Sequence, residues 1–220
     1  MISRWLFLLA RKPIIHALVR WGFGHVSGAL PLHRVATTEH VIAFFHPRPT
    51  WSPHILLVPR RGIASIVALG PKDSVIIADI LQLAADIVAT NVSAATGYVL
   101  LVNGGAYQDV GQLHFHLTWE TDESRYTCPD RAAGTPIFQT EQVDVIQHPH
   151  PQRAIHLVLR PRGTQRDLGA MIAAVQHVVH HWNLLPVGFS LALASQPARA
   201  TVWDCFHLLS GSTMSKHDHL

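Results

Sequence analysis

Between Leu101 and Leu117 the chain reads Leu-Val-Asn-Gly-Gly-Ala-Tyr-Gln-Asp-Val-Gly-Gln-Leu-His-Phe-His-Leu, and its last six residues alternate in polarity. Successive side chains of a β-strand point to opposite faces. On a strand, Gln112, His114 and His116 therefore line one face while Leu113, Phe115 and Leu117 line the other. An apolar strand, Tyr98 to Asn103, runs into this segment through a loop that contains Gly104 and Gly105. Two imidazoles and an amide below a glycine loop suit an anionic group. Imidazole is also the side chain best fitted to act as nucleophile or proton carrier near neutral pH.

The upstream elements follow from similar patterns. Val41–Phe45 and His54–Pro59 read as an antiparallel hairpin across a loop holding Pro47, Pro49 and Pro53, after a loop and short strand over residues 31–40. A helix begins near Asp73 or Ser74, either of which can cap it, and carries Ile76, Ile77, Ile80, Leu83, Ala84 and Ile87 on one side. It ends between Asn91 and Gly97.

The order hairpin, helix, strand, polar-alternating strand resembles the histidine triad (HIT) family over roughly Val35 to Glu120. The family hallmark, His-φ-His-φ-His-φ-φ with φ apolar, is met by Gln112-Leu113-His114-Phe115-His116-Leu117-Thr118, with Gln112 in place of the first His. Asn103-Gly104 and Gln108-Asp109-Val110-Gly111 match the lead-in, and the run from Val41 to Ile63 matches the first hairpin. The resemblance implies an α+β fold, a HIT-like antiparallel sheet with packed helices. It also implies a nucleotide or nucleotide conjugate as ligand, attacked at the α-phosphate by His114 through a nucleotidyl-histidine intermediate. His116 would assist the leaving group or phosphoryl oxygens, and Gln112 would orient its neighbours. Asn103, Gly104, Gly105 and Gln108 would contact the phosphate. His46-Pro47-Arg48 stands where relatives place an acidic residue for the ribose, which directs His46 toward a different phosphorylated ligand. This route needs no metal or other cofactor.

The second half repeats the first. Val143 to Gly163 parallels the first hairpin, and His-Pro-x-Pro occurs in both, at His46 and at His148. Asp167–Trp182 reads as a helix with Leu168, Met171, Ile172, Val175, Val178 and Val179 on one side. Val187–Ala194 parallels Thr96–Val102, and Trp203–Leu209 stands where the alternating strand stands, so Cys205 replaces His114 and His207 matches His116. The expected organisation is an apolar segment over 1–30, a HIT-like domain over 31–125, a connector over 126–142, a degenerate HIT-like repeat over 143–211 and a tail over 212–220. The two repeats would form a pseudo-dimer within one chain.

Composition narrows the function classes. With 48% hydrophobic and 14% charged residues, the chain can build a sizeable core. A net charge of +3 without Lys/Arg blocks admits phosphorylated ligands and gives no reason to expect nucleic acid. Cys128 and Cys205 form no Cys-x-x-Cys pair, so a reducing cytoplasm is the expected setting. Arg4, Arg11, Lys12 and Arg20 break up the apolar N-terminus, leaving peripheral membrane contact through residues 1–24 as one reading and packing on the protein body as the other. The 17 histidines raise the question of zinc at His114, His116 and a third ligand, but no Cys-x-x-Cys or His-Glu-x-x-His accompanies them, and no metal is expected. Arg60-Arg61 and Arg160-Pro161-Arg162 read as solvated strand ends. The rival to the enzyme is a nucleotide-binding or regulatory protein that keeps the fold and has lost turnover along with the first His.

Overall fold

The computed structural model describes residues 33–93, 96–119, 123–130, 134–195 and 203–213. The first half contributes β1 (Arg34–Thr37), β2 (Val41–Phe45), β3 (Ile55–Pro59), helix α1 (Ser74–Asn91), β4 (Tyr98–Gly104) and β5 (Phe115–Thr118). The second contributes β6 (Phe138–Gln139), β7 (Val143–Gln147), β8 (Arg153–Pro161), helix α2 (Leu168–His181), a single helical turn Leu184–Val187, β9 (Phe189–Ser195) and β10 (Phe206–Thr213).

All ten strands join one sheet in the order β1-β2-β3-β5-β4-β9-β10-β8-β7-β6. Every pairing is antiparallel. The second half therefore presents the same strand sequence as the first, reversed about the β4–β9 seam. That seam is continuous from Tyr98↔Ser195 to Gly104↔Phe189, with Leu101 opposite Ala192 at its centre. Topology and register both support the expected α+β architecture of an antiparallel sheet with packed helices.

Amphipathic periodicity explains the helical layer. Ile76, Ile77, Ile80, Leu83, Ala84 and Ile87 of α1 are all buried, as are Met171, Ile172, Val175, Val178 and Val179 of α2. They share one apolar core with Leu57, Leu100, Val102, Leu117, Leu159, Leu191 and Leu208, so a single core runs beneath both halves. Asp167 caps α2 by accepting from the Ala170 N–H. Asp73 behaves differently. Its carboxylate accepts from the Gly70 N–H and pairs with Arg61 at 2.6 Å, fixing the turn before α1 rather than the helix itself.

The opposite face of the sheet carries a small apolar set in each half: Ile42, Phe44, Leu56 and Val58 in the first, Ile146, Val158 and Cys205 in the second. Facing residues on neighbouring strands share a face. Leu56 lies opposite His116, so the histidines of the alternating segment belong to this face and not to the helical core.

Two glycines hold the halves close. A Cβ on Gly104 would lie 2.2 Å from the Phe189 ring, and one on Gly105 would lie 2.3 Å from the Leu185 carbonyl oxygen. Gly105 also has φ +58, a backbone conformation that favours glycine. Among the described residues no helix is long and apolar enough to cross a membrane, and residues 1–24 lie outside them.

Candidate active site

The alternating segment is a strand only from Phe115 onward. Gln112, Leu113 and His114 precede it, and the Leu113 N–H donates to the Ile63 carbonyl, drawing this stretch toward the chain that follows β3. The alternation of faces nevertheless holds: Leu113, Phe115 and Leu117 are in the core while His114 and His116 are half-buried on the other side.

His114 donates Nδ1–H to the Gln112 carbonyl oxygen at 2.7 Å. That bond fixes the tautomer and leaves the lone pair on Nε2. Burial lowers the His114 pKa below the ordinary histidine value of 6.5, while the Gln112 carbonyl and the Asp109 carboxylate oppose the shift. The neutral, nucleophilic ring is therefore favoured at neutral pH.

His116 is set by a chain of hydrogen bonds that begins in the β2–β3 loop. The Thr50 N–H donates to His54 Nδ1 at 3.3 Å, so His54 carries its proton on Nε2. His54 Nε2–H then donates to His116 Nδ1 at 2.8 Å, leaving the His116 proton on Nε2. That Nε2 is buried and has no hydrogen-bond partner among the described residues. A buried donor without an acceptor is costly, and a phosphoryl oxygen would satisfy it. Burial and the neighbouring rings of His114, His54 and His46 depress His116 to about 2 and keep it a neutral donor.

His46 accepts the Arg48 N–H at 3.0 Å and stacks on His54 with ring centroids 4.1 Å apart and planes 7° apart. Trp51 closes the other side, 4.7 Å from the His54 ring and 6.4 Å from the His116 ring. One ring nitrogen from each of His46, His54 and His116 falls within 4.8 Å of the others, a spacing that admits a metal. The lone pair of an imidazole lies in its ring plane, and the nearly parallel planes of His46 and His54 cannot converge on one ion. The arrangement fits a hydrogen-bonded relay better than a metal centre.

The remaining sequence-derived candidates occupy supporting positions. Gln112 is 1% exposed and its Nε2 bridges the Pro59 and Arg61 carbonyls, at 3.2 and 3.1 Å. Gln108 spends both amide hydrogens on the Ala64 and Val110 carbonyls, at 2.6 and 2.7 Å. Asn103 accepts from the Ser190 hydroxyl at 2.7 Å, across the β4–β9 seam. Gly104 and Gly105 pack on the second half as described. His54, Thr50 and Trp51 were absent from the sequence-based site. One sequence signal does point to His54: a His stands eight residues after the first residue of His-Pro-x-Pro in both halves, His54 after His46 and His156 after His148.

The second half builds the same relay with a different end. The Gln152 N–H donates to His156 Nδ1 at 3.2 Å, and His156 Nε2–H donates to His207 Nδ1 at 3.0 Å. His148 stacks on His156 at 4.1 Å and 4°. Cys205 occupies the place of His114, and its sulfur lies 3.3 Å from His207 Nε2. Chain from the connector covers this site: the Tyr126 ring lies edge-on to His207 at 5.7 Å, the Arg125 carbonyl accepts from Gln152, and the Asp130 carbonyl accepts from Arg160. Arg160 is only 6% exposed, which corrects its reading as a solvated strand end; the Asp130 carbonyl and Asp144 at 3.9 Å accommodate its charge.

The sequence model of the HIT domain matches residues 27–120. A HIT-like protein of Synechocystis sp. is 31% identical over 88 residues, which cover 40% of this chain and 75% of that protein. The chain belongs to the HIT family. A further HIT-like protein, from Azospirillum brasilense, is 29% identical over 95 residues, 42% of this chain and 78% of its own length. The family model falls on the first half. The fold of both halves together is shared with a galT-like protein of Arabidopsis thaliana, at TM-score 0.55 and 10% identity over 89% of this chain and 83% of that one.

Proposed function

We propose that this HIT protein is a nucleotide phosphohydrolase or nucleotidyl transferase that works through His114. The single observation that carries the reading is the pair of fixed tautomers. His114 offers an Nε2 lone pair, while His116 beside it, ring centroids 4.9 Å away, offers a buried, unanswered Nε2–H. Nucleophile and donor are thus presented together and in complementary protonation states.

His114 Nε2 attacks the α-phosphorus, forming a P–N bond as the bond to the leaving group breaks. His116 Nε2–H donates to a phosphoryl oxygen or the departing atom, and His54, held by Thr50, orients the ring and keeps that proton on Nε2. Water or another acceptor then attacks the phosphorus and frees His114. His114 Nδ1–H remains on the Gln112 carbonyl throughout, stabilising positive charge on the phosphorylated ring. Gln112 serves this role through its backbone, so replacing the first His of the family pattern leaves the two reacting imidazoles intact. Asn103, Gly104, Gly105 and His46 complete the proposed nucleotide site, and Gln108, whose amide hydrogens are spent on the Ala64 and Val110 carbonyls, holds the loop beside it. The two halves are read as a fused pseudo-dimer with one working centre, in a cytoplasmic setting.

Incubation with nucleoside phosphoramidates, dinucleoside polyphosphates and nucleotide sugars, followed by intact-mass measurement, tests the proposal. A nucleotidyl adduct or product formation lost in His114→Ala supports it and identifies the leaving group. Nucleotide bound by calorimetry, with no adduct and no turnover across the panel, would instead establish a binding protein.

A further inference from the structure

Cys128 and Cys205 are 77 positions apart in the sequence, yet the fold packs them together on the sheet face opposite the helices. Cys128 belongs to the connector and is half-buried; Cys205 lies in the lead-in to β10 and is 4% exposed. The Cys128 thiol is directed at the Asp204 carbonyl, 3.7 Å from its sulfur, immediately beside Cys205. The relay of the second half acts on the other sulfur. Since His156 donates to His207 Nδ1, the neutral His207 ring carries its proton on Nε2, the atom 3.3 Å from Cys205 Sγ. That one N–H faces both the Tyr126 backbone carbonyl and the Cys205 sulfur, so the connector and Cys205 converge on the same ring.

We propose that Cys128 and Cys205 form a reversible dithiol–disulfide pair, driven by hydroperoxides, that ties the connector to the second half over its occupied site. The more accessible thiol reacts first: Cys128–SH and a hydroperoxide give Cys128–SOH and the corresponding alcohol or water. Cys205 sulfur then attacks the sulfenic sulfur, forming the S–S bond as the S–O bond breaks. The departing hydroxide takes the Cys205 proton and leaves as water. Two thiols are oxidised and one peroxide is reduced. Burial, the adjoining Cys128 and Asp204 raise the Cys205 thiol above the usual range, so Cys205 rests as the thiol and the more accessible Cys128 is the first to react. The step is independent of turnover at His114.

The test uses the full chain, reduced and then exposed to stoichiometric hydrogen peroxide, with intact-mass measurement and non-reducing peptide mapping. The expected result is the loss of two hydrogens per chain, a Cys128–Cys205 cross-linked peptide, and full reversal by dithiothreitol. Cys205→Ser is expected to leave Cys128 unprotected, so that a second equivalent of peroxide carries it from the sulfenic to the sulfinic acid, while Cys128→Ser leaves Cys205 unmodified. Either variant that loses fold by circular dichroism is replaced by thiol-blocking kinetics on the wild type, where the two cysteines must lose reactivity together. Sulfinic Cys128 in the wild type, a Cys128-linked dimer of chains, or both thiols masked by stoichiometric zinc in freshly purified protein would each overturn the proposal.

Discussion

The two halves of this HIT protein hold the same three-imidazole arrangement and differ in what stands at its end. In both, a backbone N–H of the hairpin loop fixes one buried histidine, which fixes a second, while a third stacks on the first. In the first half the final Nε2–H is unanswered and a second imidazole stands beside it. In the second half the Cys205 sulfur meets that Nε2 and Tyr126 covers it. Presence of the relay therefore does not distinguish a reactive centre from a structural one; the group at position 114 or 205 and the cover above it do.

The sharpest way to break this comparison is to remove each half's terminal group. His114→Ala is expected to reduce turnover by on the order of 10³-fold or more, measured as initial rates on whichever conjugate proves to be the substrate. Cys205→Ala is expected to leave that rate unchanged. Equal losses would mean that the second half takes part in the chemistry.

One step back along the relay the effects become smaller and divide differently. His54→Ala removes the donor that holds the His116 tautomer and should lower kcat by about 10²-fold with little change in KM. A displaced acidic limb in the pH–rate profile would mark a positioning effect rather than general unfolding. His156→Ala leaves His207 Nδ1 buried without its donor and should cost roughly 1–3 kcal/mol of stability, read by urea denaturation, with kcat intact.

Acid should act on both halves together. Burial holds His54 and His207 at about 4 and His156 at about 3, against 6.5 for a free imidazole. As pH falls below 6.5 the unfolded chain binds these protons and the folded chain does not, so folding stability is full above that value and declines toward pH 4. Urea midpoints taken from pH 7.5 to 4.5 should fall monotonically, and less steeply in the His54→Gln, His156→Gln double variant.

The smallest effect is expected at Gln112→His, which restores the family pattern. Because the backbone carbonyl at this position does the work on His114, kcat/KM should change by less than about tenfold. A gain of several hundredfold would show that the missing imidazole had a role of its own.

Much of this was legible in the residues. Apolar periodicity marks both helices, β-branched runs mark the hairpins, and His-Pro-x-Pro signals the repeat. The alternating segment identified the face on which His114 and His116 lie. It overstated the strand, because alternation alone cannot show that Gln112 and Leu113 follow the end of β3 through the Ile63 carbonyl instead of continuing the ladder. His54 meets His116 across 62 residues, so what points to it is its repetition at His156 and not any pattern local to the strand. The contact of Cys128 with Cys205 depends on where the connector crosses the sheet, which spacing does not reveal.

The β4–β9 seam has a consequence for mass action. Two separate chains meeting edge to edge would form a ten-stranded sheet only above some protein concentration, and dilution would part them. Here both sides of the seam are one polypeptide, so the effective concentration of each half for the other is fixed by the connector. Asn103 thus keeps its Ser190 partner, and Gly104 its Phe189, however scarce the protein becomes in solution.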